Sequence, residues 1–208
     1  MQAFNLTRLN FHSPYKVWID NGSYKFLTDY GVQYRIEFVE NNNIWEDEKA
    51  YEFGILNENK KNSPNDSKVK ETVQSIIEEF FLTNPNILLY QCETGDSRQA
   101  MRARLFTRWF NEFDKRDRFC VKVSILRDEE VDNYIAIIVQ KSNPKLTDIL
   151  RDFDEFIGFF DTKPRIKAVS EIQTNGISIV PPPGSTFAAW CIKKLPMRMA
   201  PGAFFITV

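Results

Sequence analysis

Three observations predict an α+β fold with a largely antiparallel sheet of about six strands and three helices. Short segments in which apolar and polar residues alternate are typical of half-buried strands, and three longer segments carry apolar residues at helical spacing. They follow one another as strands, a helix, a strand, a helix, two strands and a helix, an order typical of helices packed on an antiparallel sheet. The 208 residues are 43% hydrophobic and include 18 phenylalanines, which is enough apolar material for a core.

The first part of the chain predicts a series of antiparallel strands. The segments that alternate are residues 17–19, 24–28, 33–40 and 50–56. Between the first two stands Asn21-Gly22, a strong signal for a tight hairpin turn. Gly54 marks a possible bulge in the fourth. The segment before residue 17, which contains the single histidine, His12, has no period and is expected to be irregular.

Three apolar stripes predict the helices. The first runs from Val69 to Phe81, with Asp66 or Ser67 as its cap and Thr83-Asn84-Pro85 at its end. The nearly all-apolar segment 86–91 that follows is expected of a central strand buried on both faces. The second helix is predicted over residues 97–113. A hairpin of strands 119–126 and 134–139 around an acidic turn at 128–130 leads to a third helix, which begins after Asn143-Pro144.

The last 48 residues differ in composition from the rest. Residues 161–208 hold six of the ten prolines and carry a net charge of +4, whereas residues 1–160 carry −5. We therefore predict one α+β domain over residues 1–160 and a proline-rich, poorly packed appended tail over residues 161–208.

Several classes of protein are excluded by what the sequence lacks. The first residues contain no apolar stretch typical of a secretory signal, and no run of about 20 apolar residues could cross a bilayer. Three scattered cysteines and one histidine favour neither a disulfide framework nor a zinc site. We expect a soluble cytoplasmic protein that makes no contact with a membrane and holds no cofactor or metal ion.

The turn between strand 86–91 and the second helix is the first candidate site. A loop containing Gly95 follows the strand, and a helix begins near Asp96, so backbone N–H groups and the positive helix end could hold an anion. Arg98 and Gln99 lie in the first turn of that helix. The competing interpretation is a capped helix start, in which Asp96 occupies the N–H groups. The loop also lacks the glycine and lysine spacing of a phosphate-binding P-loop.

The helical phase places Arg98 and Arg102 in line with the apolar stripe of the second helix, whereas Arg104 and Arg108 fall on the solvated flank. An arginine on a packing face must be paired or hydrogen-bonded, so we expect Arg102 to be buried and at least doubly hydrogen-bonded. Its planar guanidinium group could donate hydrogen bonds to backbone carbonyls at the end of a strand or to a nearby carboxylate. The alternative is a pair of guanidinium groups lining a pocket for a phosphate or carboxylate.

The candidates for other chemistry are few. Residues 98–118 contain seven basic and three acidic residues, which makes nucleic-acid binding a weaker alternative, although the aromatic residues there have the spacing of a core. Neither His12 nor Cys92 has a visible catalytic partner, and we name no catalytic residue.

The motif CETGDSRQ at residues 92–99, followed by Arg102, Phe106, Trp109 and Phe110, carries a family resemblance. Together with the hairpin at residues 24–38, it resembles a bacterial family of unknown function found in Bacteroidetes. The resemblance covers about residues 16–158 and implies no activity.

We therefore expect a non-enzymatic binding or interaction module with an unknown protein partner or a small anion as its ligand. The alternative is an anion binder or an enzyme that uses Asp96, Arg98, Gln99 and Arg102 at the strand-to-helix turn.

Overall fold

The computed structural model describes residues 1–41, 44–45, 47–92, 98–127 and 132–161. It confirms the α+β class, with four helices, a short 3₁₀ helix and seven strands in these residues. The helices are α1 (Leu6–His12), α2 (Ser67–Thr83), α3 (Gln99–Asn111) and α4 (Leu146–Asp161), and the 3₁₀ helix is Arg116–Arg118. The strands are β1 (Val17–Asp20), β2 (Ser23–Leu27), β3 (Gln33–Asn41), β4 (Ala50–Asn57), β5 (Ile87–Gln91), β6 (Phe119–Arg127) and β7 (Asp132–Gln140).

The seven strands form one mostly antiparallel sheet in the order β1-β2-β3-β4-β5-β7-β6. The pairing of β4 with β5 is parallel, and α2 connects these two strands. The predicted hairpin turn is confirmed, because Asn21 and Gly22 both have positive φ, 48° and 79°. The possible bulge at Gly54 is wrong, since Gly54 pairs with Glu37 in an uninterrupted register.

Strand β5 is buried on both faces, as predicted. Leu88 and Tyr90 face the larger apolar cluster, which contains residues of α1, α2 and α3. Ile87 and Leu89 face a second cluster, which contains Phe153 of α4. All four side chains are at most 3% exposed. The sheet is therefore covered by helices on both sides of β5, and this strand is the centre of the core.

Two helices follow their predictions closely, and one is shorter than predicted. The stripe of α2 is buried at Val73, Ile76 and Phe80, and Asp66 caps the helix by accepting a hydrogen bond from the Lys68 amide at 3.0 Å. Helix α4 begins at Leu146, after the predicted Asn143-Pro144 signal. Helix α3 begins at Gln99, two residues later than predicted, and ends at Asn111.

The remaining expectations fall outside the described residues. The acidic turn at 128–130 belongs to an undescribed segment, and so does the predicted tail apart from its first residue, at the end of α4.

The expectation of an irregular segment before residue 17 is wrong, because that segment contains α1. Its cap is Asn5, whose side chain accepts a hydrogen bond from the Arg8 amide. The helix has seven residues and one buried apolar side chain, Leu9, so no apolar period marks it in the sequence. A buried carboxylate of α2, Glu79, holds it instead.

Glu79 is 2% exposed and accepts hydrogen bonds from both ends of the first helical turn. The amide of Asn5 donates to it at 2.9 Å, and the Arg8 side chain donates twice, at 2.8 and 2.7 Å. Burial raises the pKa of Glu79, but the hydrogen bonds and positive charge of Arg8, with the Asn5 amide, outweigh it and leave the pKa below its ordinary value. Ionised Glu79 therefore stabilises the contact of α1 with α2.

We predict that Glu79→Gln lowers the free energy of unfolding at pH 7 by about 2 kcal/mol, because charge-assisted hydrogen bonds are lost at a buried position. Since the folded pKa is lowered, the contribution is complete above the unfolded pKa of about 4.3 and is lost as the pH falls through the folded pKa. The difference between Glu79→Gln and the parent should shrink below about pH 4. Urea unfolding between pH 3 and 7 measures it.

The matched control is Glu71→Gln on the exposed face of the same helix, which should stay within about 0.5 kcal/mol of the parent. Equal stability of Glu79→Gln and the parent at pH 7 would contradict the role given to Glu79.

Candidate functional site

The predicted strand-to-helix site is described only in part. Residues 93–97, and with them Asp96, lie outside the described residues. Arg98 is the N-cap residue of α3 and is exposed, with no side-chain hydrogen bond to the helix end. Gln99 begins the helix and is half-buried. Arg102 is 2% exposed.

The expected burial of Arg102 is confirmed. The expectation that Arg98 lies in line with the apolar stripe of the helix is wrong, because Arg98 is exposed. Helix α3 begins after Arg98, so the helical phase that places Arg102 over the sheet does not extend back to Arg98. Arg104 and Arg108 are exposed, as the same phase predicts.

The guanidinium of Arg102 lies near two other buried polar groups. These are the hydroxyl of Tyr90 and the thiol of Cys92, in side chains that are 3% and 2% exposed. The ring of Tyr90 stacks on Phe106 of α3 with a centroid distance of 4.1 Å. This buried cluster therefore joins the end of β5 to α3.

Burial dominates the electrostatics of this cluster. It raises the pKa of Tyr90 well above its ordinary value, and the neighbouring Cys92 raises it further while Arg102 lowers it. Burial also raises the pKa of Cys92, which Tyr90 and Arg102 offset only in part. Cys92 therefore remains a protonated thiol at neutral pH, unlike a nucleophilic cysteine.

Two polar atoms of this region have no hydrogen-bond partner of good geometry in the described part of the structure, although the first of them faces the thiol of Cys92, a weak hydrogen-bonding group. They are the hydroxyl oxygen of Tyr90 and Oε1 of Gln99, both buried. A buried polar atom without a partner costs free energy, so we do not expect these two atoms to contribute to the stability of the contact between β5 and α3.

A groove runs along the other side of α3, and we call it the α3 groove. It has a volume of about 510 Å³. Its lining includes Ala103, Arg104, Thr107, Arg108, Val123 and Tyr134, together with Glu112, whose carboxylate pairs with Lys70. Helix α3 covers part of β7, whereas Val123 of the edge strand β6 remains 45% exposed in the groove.

Arg104 and Arg108 differ from the other basic residues near α3. Among the described residues, neither guanidinium makes a hydrogen bond or an ion pair. In contrast, Lys115 and Arg118 both pair with Glu78 of α2, and Lys70 pairs with Glu112 at 3.0 Å. Of the seven basic residues at 98–118, Lys115 and Arg118 therefore share one acidic partner, whereas Arg104 and Arg108 are left without one among the described residues and both line the groove.

The aromatic residues of this region belong to the core. Phe106 is buried, and Trp109, Phe110 and Phe113 are half-buried against the larger cluster. These rings are therefore used mainly in packing, as their helical spacing predicts, and they do not form an exposed row on which successive bases could stack.

The remaining candidates for catalysis are not brought together. The His12 ring is at the exposed end of α1, against Phe11, and among the described residues it makes no hydrogen bond or ion pair with Cys92 or a carboxylate. In the same residues no group of three or more His, Cys, Asp and Glu side chains could hold a metal ion. No helix in the described part of the chain is long and apolar enough to cross a membrane.

Comparison with known proteins identifies one match. Residues 65–155 match the model of a family of unknown function (DUF6169). The matched segment contains α2, β5, α3, β6, β7 and most of α4, and it includes the whole α3 groove. No curated protein and no solved structure matches the chain.

The sequence does not predict the groove, although its helical phase correctly places Arg104 and Arg108 on the exposed flank of α3. One feature of the sequence does indicate that these arginines lack an ion-pair partner on their own helix. Arg104 and Arg108 are four residues apart, and the residue four before Arg104 is Ala100, which cannot form an ion pair. What the sequence does not show is that Glu112, four residues after Arg108, pairs with Lys70 of α2.

We predict that Arg102→Ala lowers the free energy of unfolding by about 3–5 kcal/mol, because the substitution removes a buried charged side chain between β5 and α3 and the charge that the neighbouring buried polar groups face. Arg104→Ala, on the exposed flank of the same helix, should stay within about 0.5 kcal/mol of the parent. Urea unfolding of both variants measures the difference. An Arg102→Ala variant as stable as the parent would show that Arg102 is not structural.

We also predict that Tyr90→Phe leaves the protein as stable as the parent or stabilises it by up to about 1 kcal/mol, because the substitution removes a buried hydroxyl that lacks a partner and keeps the stacked ring. Thermal unfolding measures this change. A clear loss of stability would show that the hydroxyl has a partner in solution.

Proposed function

We propose that this protein is a non-enzymatic binding module that holds an acidic segment of a partner protein in the α3 groove. One observation supports the proposal above others: Arg104 and Arg108 stand one helical turn apart along a groove, exposed and without partners among the described residues.

The shape of the groove suits a short extended or helical segment. Two arginines four residues apart are separated by about 6 Å along the helix axis, a spacing that carboxylates on one face of a peptide can match. Guanidinium groups bind carboxylates through paired, charge-assisted hydrogen bonds. Between the arginines and the sheet, Val123 and Tyr134 offer an apolar floor. The expected partner segment therefore combines acidic residues with an apolar side chain.

Nucleic acid fits this surface less well. The chain has a net charge of −1, and of the strip at residues 98–118, Lys115 and Arg118 are already paired with Glu78. A nucleic-acid interface normally neutralises many phosphates and often adds exposed aromatic faces. A surface with two unpaired arginines and one tyrosine is better suited to a peptide with a few carboxylates than to a nucleic acid with many phosphates.

An enzyme at the strand-to-helix turn is also less well supported. The charge of Arg102 is buried and the pKa of Cys92 is raised, so neither group is presented to a substrate. Both properties fit a role in holding β5 against α3.

We further propose that the protein is bacterial, of the Bacteroidetes type, and that it is cytoplasmic. We also propose that the family likeness extends to residues 16–64. The motif at residues 92–99 and the hairpin of β2 and β3 support the origin. The thiols of Cys92 and Cys120, neither in a disulfide, are compatible with a reducing compartment.

The binding proposal is tested with fluorescein-labelled octapeptides of alternating sequence, one of glutamate and leucine and one of glutamine and leucine. Fluorescence anisotropy should show that the full chain binds the acidic peptide at least tenfold more tightly at low salt, because only that peptide satisfies the arginines. Arg104→Glu/Arg108→Glu should lose this preference. A single-stranded oligonucleotide added at the same concentration should bind more weakly than the acidic peptide.

The matched control is Lys16→Glu/Lys141→Glu, which changes the net charge equally at two exposed lysines outside the groove. It should bind like the parent. If the control loses as much affinity as the arginine variant, the effect is one of overall charge and the groove is not the site. Tighter binding of the oligonucleotide would also overturn the proposal.

A further inference from the structure

A second concavity lies on the other side of Arg108, between α3 and the segment that leads into α2. We call it the α2–α3 cavity, and its volume is about 310 Å³. Residues 63–67 form one wall, Leu105 and Trp109 of α3 form the opposite wall, and Ile55 of β4 lies at its base. The volume is at the lower end of the range for sites that bind small molecules.

The base of the cavity is apolar. Ile55 and Val69 are 3% and 5% exposed, and both belong to the larger core cluster. Leu105 and Trp109 pack against the same cluster and are half-buried. A ring or a branched chain of a few carbon atoms would be removed from water on several sides here, which favours an apolar body in any ligand.

Most polar groups of the wall are engaged with one another. The hydroxyl of Tyr34 and Oγ of Ser63 share a hydrogen bond of 2.7 Å. Asp66 accepts a hydrogen bond of 2.6 Å from the hydroxyl of Tyr15 and another from the Lys68 amide. These groups are satisfied without a ligand and fix the shape of the wall.

Two cations and two acids line the cavity, and among the described residues only Lys70 and Glu112 form an ion pair with each other. Lys70 and Glu112 pair with each other at 3.0 Å, and the carboxylate of Asp66 is held by its hydrogen bonds. Arg108 is exposed and makes no ion pair or hydrogen bond among the described residues. It presents a planar donor group next to an apolar cavity.

The geometry points to the α2–α3 cavity as a binding site for a small apolar monocarboxylate, whose ring or chain fills the space against Ile55 and Trp109 while its carboxylate pairs with Arg108. A phosphate dianion fits less well, since Asp66 and Glu112 also line the cavity and would repel a second negative charge. An amino acid fits less well too, because its ammonium group would compete with Lys70 for Glu112, or with the Tyr15 hydroxyl and the Lys68 amide for Asp66.

This site is separate from the proposed partner groove in all but two residues. Arg108 and Glu112 line both concavities, whereas Arg104 lines the groove and not the cavity. A peptide in the groove and a ligand in the cavity would share Arg108, so each is tested in the absence of the other, and Arg104 serves as a matched control for Arg108.

The test uses the full chain and three probes: phenylacetate, its neutral analogue 2-phenylacetamide, and acetate. Ligand-observed NMR titration should give binding of phenylacetate at least fivefold tighter than that of the amide, with no binding of acetate up to about 10 mM. Arg108→Gln should weaken phenylacetate to the level of the amide and leave the amide unchanged. Arg104→Gln should leave both affinities unchanged.

Three results would overturn the inference: no binding of phenylacetate, equal binding of phenylacetate and the amide, or equal losses in Arg104→Gln and Arg108→Gln. Thermal unfolding of both variants checks that each is folded, as expected for substitutions at exposed positions. If phenylacetate binds as described while the acidic peptide does not bind, the cavity stands and the groove proposal fails.

Discussion

The parallel pairing of β4 with β5 is the constraint on which the rest of the structure depends. Parallel neighbours cannot be joined by a tight turn, so the chain must cross one face of the sheet between them, and α2 makes that crossing. The crossing places β5 inside the sheet, where β7 pairs with its other side. Both faces of β5 are then covered, which divides the core into two apolar clusters.

The concave surfaces follow from how far α3 extends over that sheet. It packs on β7 and on the aromatic ring of Tyr90, but it does not cover the edge strand β6, where Val123 stays exposed. On its opposite side, the segment before α2 stands off from Leu105 and Trp109. Arg108 lies on the ridge between the two concavities, so a ligand that engages it on one side withdraws it from the other. The fold thus offers a direct physical link between the two proposed sites.

Much of the fold could be predicted from the sequence because its main elements carry strong local signals. The unbroken apolar segment predicts β5, and helical periodicity predicts the stripes of α2 and α4 and the burial of Arg102. Helix α1 could not be predicted, since its anchor, Glu79, is about 70 residues away. The groove could not be predicted for the same reason. Whether Arg104 forms an ion pair depends on the positions of acidic side chains on other helices and strands, and these positions are set by the fold.

The contact between Trp45 and α4 has a consequence for the order in which a ribosome-bound chain can mature. The indole N–H of Trp45 donates to the carbonyl of Ile149 at 3.3 Å, across 104 residues of sequence. Until the segment containing Ile149 has left the ribosome, Trp45 and the apolar side chains of β5 and β7 on that face have no helix to cover them. A nascent chain that pauses before this point exposes the apolar face of the sheet that α4 later covers. Exposed apolar surface of this kind promotes aggregation and is bound by chaperones that act on nascent chains.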